Sequence, residues 1–376
     1  MQTIGILGGG QLARMLALAG APLGLRFLVV DSAIDACAGQ IAPMVHADWR
    51  DFDALGDFAR RIDVATFDFE NVPAETARWL TGRTQVFPNP RALAISQDRL
   101  AEKTLFGEIG LDTAAFAAID SRAELAAAIA RIGLPAVLKT RRLGYDGKGQ
   151  ALLRNPGDAD AAWDALGSTP LILEAFVPFT REISVVAVRS RNGEFRHYPL
   201  TRNWHASGIL AASLAPAPHT DTIESIAVAH ALALAERLDY VGTFALELFD
   251  HGGRLLGNEM APRVHNSGHW TIEGAVCSQF ENHLRAVLGL PLGDTAARGV
   301  SVMLNWIGEL PSVAAVLRES DAHWHDYGKD ARAGRKVGHA TVCAKDAREM
   351  RERLARIGAA LGRDAQVAPV LAALAE

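Results

Sequence analysis

A short apolar run, Thr3 to Leu7, stops at three consecutive glycines, Gly8, Gly9 and Gly10, and a helical pattern begins directly after them at Gln11. This opening limits the fold more than any other feature of the chain. A strand that is apolar throughout needs cover on both faces, and a helix fed straight from its end supplies one of those layers. Residues 26–31 and 64–67 repeat the apolar run, with helical patterns between them. The first hundred residues therefore predict a parallel sheet covered on both sides. Pro88-Asn89-Pro90 punctuates the chain, and this unit is expected to end near residue 97.

At 376 residues, two or three domains are expected. The middle of the chain reads as α+β. Ser121-Arg-Ala-Glu124 is a capping box that opens a helix to about residue 132. Strand patterns occupy 136–140, with Lys139 near the end, then 171–174, and a longer sheet begins at 182–189. Asp221-Thr-Ile-Glu224 reads as the cap of a helix reaching about residue 238. Residues 241–249 and 255–260 form a hairpin about Gly252-Gly253. A tail from about 299 carries strand patterns at 301–306 and 337–344 and a last helix after Asp346. The expected units are 1–97, 98–298 with a flap at about 113–180, and 299–376.

Composition excludes several classes of function. Basic residues number 38 against 43 acidic, a net charge of −5, which suits non-specific nucleic-acid binding poorly. No run of 18 apolar residues occurs, and the first ten residues lack a basic segment before an apolar one. Neither a membrane span nor a secretory leader is expected, and a cytoplasmic location follows. Cys37, Cys277 and Cys343 are three, far apart, with no C-x-x-C pair. That argues against a disulfide framework and a thiolate zinc site.

Five segments carry chemistry. Gly8-Gly9-Gly10-Gln11-Leu12-Ala13 fits G-x-G-x-x-G/A, and Asp31 ends the next strand where a ribose-binding acid would stand, so a nicotinamide dinucleotide is one reading. Lys139, Arg141 and Arg142 precede the loop Gly144, Tyr145, Asp146, Gly147, Lys148, Gly149, Gln150. Glycine N–H groups beside so many cations suit a polyphosphate. On the hairpin, Glu247 alternates with the apolar Phe244, Leu246 and Leu248. An odd loop would place Glu259 across from it, and a two-residue loop would place Asn258 there. Either pair offers hard oxygens to Mg²⁺. Arg263, His265 and Asn266 follow at once and suit a small oxyanion. His265 and His269 are four apart, but Pro262 and Gly268 argue against one helix presenting both to zinc. Finally, Tyr327-Gly-Lys329 and Arg335-Lys336-Val-Gly-His339 could close over a phosphorylated substrate.

Phosphate loop, paired carboxylates and arginine-bearing oxyanion segment, in this order, resemble the ATP-grasp superfamily. The strings Gly144 to Gln150, Asn258-Glu259-Met-Ala-Pro-Arg263-Val-His265-Asn266-Ser-Gly-His-Trp and Gly334-Arg-Lys-Val-Gly-His339 look like its branch that carboxylates 5-aminoimidazole ribonucleotide. The resemblance implies an ATP-grasp fold with an N-terminal Rossmann-like (pre-ATP-grasp) domain and a small C-terminal β-rich domain. It implies that Arg99, Lys139, the loop 144–150, the hinge Glu174, Ala175, Phe176 and Val177, with Glu182, His205 and Asn258, hold ATP. Backbone groups of 175–177 would read the adenine edge. Glu247 and Glu259 would hold Mg²⁺, and Arg263, His265 and Asn266 would fix bicarbonate. Gly10, Gln11, Leu12, Glu70, Tyr145, Asp146, Lys329 and Arg335 would meet the ribonucleotide, with Asp146 shaping or deprotonating its amine. Many ATP-grasp enzymes carry an Asn metal ligand where Ala261 stands; the branch shares this departure. The resemblance further implies a homodimer in purine synthesis and a link to a downstream mutase. Another ATP-grasp ligase, such as a formate-using transformylase or a biotin-dependent carboxylase, is the nearest alternative. An NAD(P) oxidoreductase would leave Lys139, Glu247, Glu259 and Arg263 without a role, and a nucleotide-binding regulator would bind ATP without releasing ADP.

Overall fold

The computed structural model describes residues 2–144 and 148–376. Its first sheet joins β1 (Thr3–Leu7), β2 (Arg26–Asp31), β3 (Met44–His46), β4 (Val64–Phe67) and β5 (Gln85–Val86), all parallel, in the order β3-β2-β1-β4-β5. Chain order reverses across β1, so the carboxyl ends of β1 and β4 open a crevice at the switch point. Gly8–Gly10 and Asp68–Glu70 leave those two ends.

A second, four-stranded sheet holds β6 (Phe116–Ile119), β7 (Ala136–Thr140), β8 (Gln150–Leu153) and β9 (Leu171–Ala175), antiparallel in the order β6-β9-β7-β8. Helices Arg122–Ile132 and Asp158–Leu166 cover one face through Leu125, Ala128 and Ala162. Ser121 caps the first of them, accepting from the Glu124 N–H.

The largest sheet has β10 (Arg181–Arg189), β11 (Phe195–His197), β12 (Thr201–Ala206), β13 (Ile209–Ala215), β14 (Gly242–His251), β15 (Arg254–Ala261), β16 (Val300–Ile307), β17 (Ala322–Asp326) and β18 (Lys336–Ala344). Its order is β15-β14-β10-β12-β13-β16-β18-β17, with β11 beside β10. Because β13 pairs with β16, the tail strands continue the central sheet instead of building their own. That continuity carries the 328–336 loop, between β17 and β18, over to the crevice of the first sheet.

Asp221 is not a helix cap. The helix runs Glu224–Arg237, and the Thr220 carbonyl accepts the Ile223 and Glu224 N–H groups. Short strands such as β3, β5 and β17 carry no clear alternation; in β17 His323 is exposed while Trp324 and His325 are half-buried. Neighbouring strands recruit them. Among the described residues, no helix is long and apolar enough to cross a membrane.

Candidate active site

The hairpin turn has two residues, Gly252 and Gly253, at φ +64° and +91°. Glycine adopts both without the Cβ clash other residues meet there. A regular two-residue hairpin would pair Glu247 with Asn258. Instead, pairing runs Leu248↔Gly257 and then Glu247↔Glu259, so Asn258 is a bulge. The extra residue brings the two carboxylates onto one face. Burial first, and the charge of Glu259 next, push the Glu247 carboxyl up to about 7. Two crowded carboxylates with few protein donors fit a hard divalent cation whose other ligands come from phosphate and water. Among the described residues, no group of three or more His, Cys, Asp or Glu forms a ready-made metal cage. His269 is buried, and its Nδ1 accepts from the Asn266 amide, so that nitrogen is not presented to a metal beside His265.

Helix Arg99–Glu108 aims three ionisable side chains at this hairpin and the flap. Arg99 Nη1 lies 3.2 Å from Glu259 Oε2, Glu102 Oε1 accepts the Met260 N–H at 2.7 Å, and Lys103 Nζ lies 3.3 Å from Glu174 Oε2. Glu102 and Lys103 are both only 2% exposed. Sequence reasoning missed these two, although their i+3 and i+4 spacing from Arg99 puts all three on one face. Lys139 reaches the same Glu174 oxygen at 2.9 Å. Burial opposes both charges, but Glu174 lies between two ammonium groups and its pKa falls to about 2. Lys139 gains one anion yet faces Arg99 and Lys103, so burial dominates and its pKa is lowered.

A cleft of about 230 Å³ gathers Arg99, Lys139, Lys148, Gln150, Glu182, His205, Glu247, Asn258 and Glu259, walled by Phe179 and Phe249, stacked at 4.7 Å. Burial works against a charged His205, but its 2.7 Å bond to Glu182 raises the pKa. Gly144 and Gly149 flank the cleft against Thr140; a Cβ at Gly149 would come within 2.7 Å of the Thr140 hydroxyl. Glu174, Ala175, Phe176 and Val177 do not line it. The Ala175 N–H donates to Ala115 and the Phe176 N–H to Pro135, at 2.8 and 3.1 Å. Those two donors are therefore not free to read an adenine edge, which leaves the segment's carbonyls and the Val177 N–H. Tyr145, Asp146 and Gly147 lie outside the described residues.

A second cleft, of about 760 Å³, opens on the crevice of the first sheet. It brings together Gly10, Gln11, Leu12, Glu70, Arg263, His265, Asn266, Lys329 and Arg335, with Lys148, Arg332 and Lys336 adding positive charge. The glycine turn does not wait for a dinucleotide. Gly10 and Ala13 N–H groups donate to Asp68 at 3.1 and 2.7 Å, and Gly9 donates to Asp31 at 2.6 Å. The protein's own carboxylates fill the anion position of the helix N-terminus.

Arg263 is tied to Glu70 through Nε, which holds Glu70 below the usual carboxylate range despite its burial. His265 Nδ1 accepts the Ser267 N–H, and Nε2 lies 3.3 Å from Glu247 Oε1. Burial first, and then the charge of Arg263, keep this imidazole neutral, its pKa well below the ordinary value. Nε2 therefore donates to Glu247. Lys329 bonds Gln11, and Arg335 donates to the Asp330 carbonyl at 3.3 Å. Asn266 departs from expectation. Its amide is spent on Asn305, in reciprocal bonds of 2.7 and 3.1 Å, and on His269 Nδ1 at 3.0 Å. Its side chain anchors the segment, so it does not offer a free amide to bicarbonate. The two clefts meet where His265 touches Glu247.

Known proteins show the same arrangement. Residues 1–97 match the ribonucleotide synthetase preATP-grasp domain, 104–280 the ATP-grasp domain, and 301–353 the phosphoribosylaminoimidazole carboxylase C-terminal domain. The N5-carboxyaminoimidazole ribonucleotide synthase of Pseudomonas aeruginosa is 54% identical over 356 residues, covering 95% of this chain and 98% of that one. The crystal structure of the Thermus thermophilus N5-carboxyaminoimidazole ribonucleotide synthetase superimposes with a TM-score of 0.92 at 54% identity, covering 95% and 98%. The Aspergillus clavatus synthase, in complex with ADP and 5-aminoimidazole ribonucleotide, gives a TM-score of 0.89 at 30% identity, covering 96% and 99%. With this fold, these two joined clefts and this degree of identity, the chain belongs to the N5-carboxyaminoimidazole ribonucleotide synthase family of ATP-grasp enzymes.

Proposed function

We propose that this chain carboxylates the exocyclic amine of 5-aminoimidazole ribonucleotide at the expense of ATP and bicarbonate. The observation that carries the reading is the junction of the two clefts at His265 and Glu247, with Lys148 lining both. A phosphate donor in the smaller cleft and an amine acceptor in the larger one meet there without crossing bulk water.

In this reading Arg99, Lys139, Lys148, Gln150, Glu182, His205 and Asn258 hold ATP. Glu174 acts through Lys139, whose ammonium it holds at the wall of the cleft. Glu247 and Glu259 hold Mg²⁺, which when bound offsets phosphate charge. A bicarbonate oxygen attacks the γ-phosphorus in line, and the bond to ADP breaks. The resulting carboxyphosphate releases phosphate and CO₂. The amine attacks the carbon, loses a proton and becomes the carbamate. Arg263, oriented by Glu70, offsets the developing charge. Neutral His265 donates to Glu247 and orients it. Asp146 is assigned to the amine proton, and Gly10, Gln11, Leu12, Tyr145, Lys329 and Arg335 to the ribonucleotide. Closure of the flap and the tail excludes water, which would consume the intermediate.

The same reading divides the chain into 1–97, 98–298 and 299–376 and places it in the cytoplasm. A homodimer is supported by an apolar groove lined by Leu18, Ala21, Leu25, Ile41 and Pro43 on the first unit. Transfer of the product to a mutase completes it. The test is ADP release with each reactant omitted in turn, with labelled bicarbonate followed into the carbamate. ADP release that ignores the ribonucleotide, with no labelled product, rejects the proposal.

A further inference from the structure

Behind the larger cleft lies a buried polar cluster that the chemistry above does not use. Tyr327, which follows β17 and precedes the Gly328-Lys329 turn, is only 1% exposed. Its hydroxyl lies 2.8 Å from His339 Nδ1 on β18 and 3.2 Å from His269 Nδ1. His339 in turn stacks on His325 at 4.2 Å, and His325 bonds Glu273. An array of buried rings needs a reason, because each unpaired polar atom opposes folding.

Hydrogen-bond roles in the cluster are set by the Asn266 amide. It gives one N–H to Asn305 and the other to His269 Nδ1. His269 Nδ1 is therefore an acceptor, so the Tyr327 hydroxyl donates its proton to His269, and the Tyr327 oxygen accepts from His339 Nδ1–H. Burial keeps both imidazoles neutral. A continuous chain of bonds thus runs from the segment bearing His265 and Arg263, through Asn266 and His269, to Tyr327 and β18.

Tyr327 also sits at the root of the loop that meets the ribonucleotide. Gly328, at φ +65°, packs so closely on Gln40 that a Cβ would fall 2.2 Å from its Oε1, and its carbonyl accepts from Gln40 Nε2 at 2.8 Å. Next in sequence, Lys329 bonds Gln11. Occupancy of the ribonucleotide site therefore acts on residues joined directly to Tyr327.

We propose that the Tyr327 hydroxyl is a positioning group that ties the ribonucleotide loop to the bicarbonate segment, so that ATP cleavage proceeds only with the acceptor seated. This rests on the function proposed above. The hydroxyl touches no reacting atom. It fixes the distance between two loops whose ligands must meet before water consumes carboxyphosphate.

The test is Tyr327→Phe, which keeps the ring and removes one oxygen. One neutral hydrogen bond is worth about fivefold, so the KM for the ribonucleotide should rise by about three- to tenfold. The KM for ATP should stay within about twofold, and ADP released per carbamate formed should climb above parity. His339→Asn keeps a polar atom near Nδ1 and should retain coupling, whereas His339→Leu should behave as Tyr327→Phe does. If Tyr327→Phe fails to fold, the two His339 variants carry the same comparison. Unchanged coupling in Tyr327→Phe, or an ATP KM that rises in step with that for the ribonucleotide, overturns the proposal. A wild-type protein that forms no carbamate rejects the function itself. A competent wild type with an unaltered Tyr327→Phe rejects only the coupling role.

Discussion

Glu174→Gln isolates the buried charge cluster beneath the smaller cleft. The carboxylate, 5% exposed, accepts from Lys139 at 2.9 Å and Lys103 at 3.3 Å through one oxygen. Its fall from 4.5 to about 2 corresponds to about 3 kcal/mol of stability at neutral pH, at roughly 1.4 kcal/mol per unit. Breaking a buried ion pair by removing one partner costs about 3–5 kcal/mol, so two independent routes agree. For a chain of this size the thermal midpoint should drop by about 4–6 °C in the absence of nucleotide. The sign with pH follows from the depressed carboxyl. Its contribution is complete above about pH 4.5 and is lost as pH falls toward about 2, so the gap between wild type and variant narrows on acidification. Adding Lys103→Met removes one of the two cations left unpaired, and the double variant should recover part of the loss. Scanning calorimetry of the wild type, Glu174→Gln, Lys103→Met and the double variant reads all of this. A midpoint change below about 1 °C, or losses in the double variant that simply add, would refute the cluster's assigned role.

Three further outcomes follow from the same geometry. Because Glu247 keeps a proton up to about 7 and a cation needs it ionised, half-saturating Mg²⁺ for ADP release should fall about tenfold from about pH 6 to about pH 8; equal values reject the assignment. Glu102 is raised to about 8 by burial and then by Glu259, so the folded state holds a proton the unfolded chain has lost, and stability declines as pH rises between about 4.5 and 8. Glu102→Gln keeps an acceptor for the Met260 N–H and should flatten that decline in metal-free thermal scans. Gly10→Ala drives a Cβ to 2.6 Å from Asp68 Oδ2 and should destabilise by about 1–3 kcal/mol, with denaturant titration as the measure.

Much of the site could be read from local chemistry. Lys139 near a strand end, the glycines of 144–150 and the alternation around Glu247 each follow from a short window, because strand period and glycine freedom act over a few residues. The inward face of helix Arg99–Glu108 was legible in principle from the spacing of Arg99, Glu102 and Lys103. Asn266 was not. Its residue type suits an anion, and only Asn305, 39 positions away, shows that the amide is already paired. The glycine turn was misleading for the same reason, since Asp68 reaches it from 58 residues downstream.

The sequence by itself determined the layered α/β opening, the flap, the carboxylate hairpin and the family. Those features depend on periodicity, on residues with special backbone freedom and on the charge types placed beside them. The tertiary structure alone decided which groups face a ligand. The bulge at Asn258 aligns Glu247 with Glu259 against the register a two-residue turn would set. The β13–β16 pairing carries the 328–336 loop to the first sheet. Both are settled by distant strands competing for hydrogen bonds and cover, and no short stretch of sequence records the outcome of that competition.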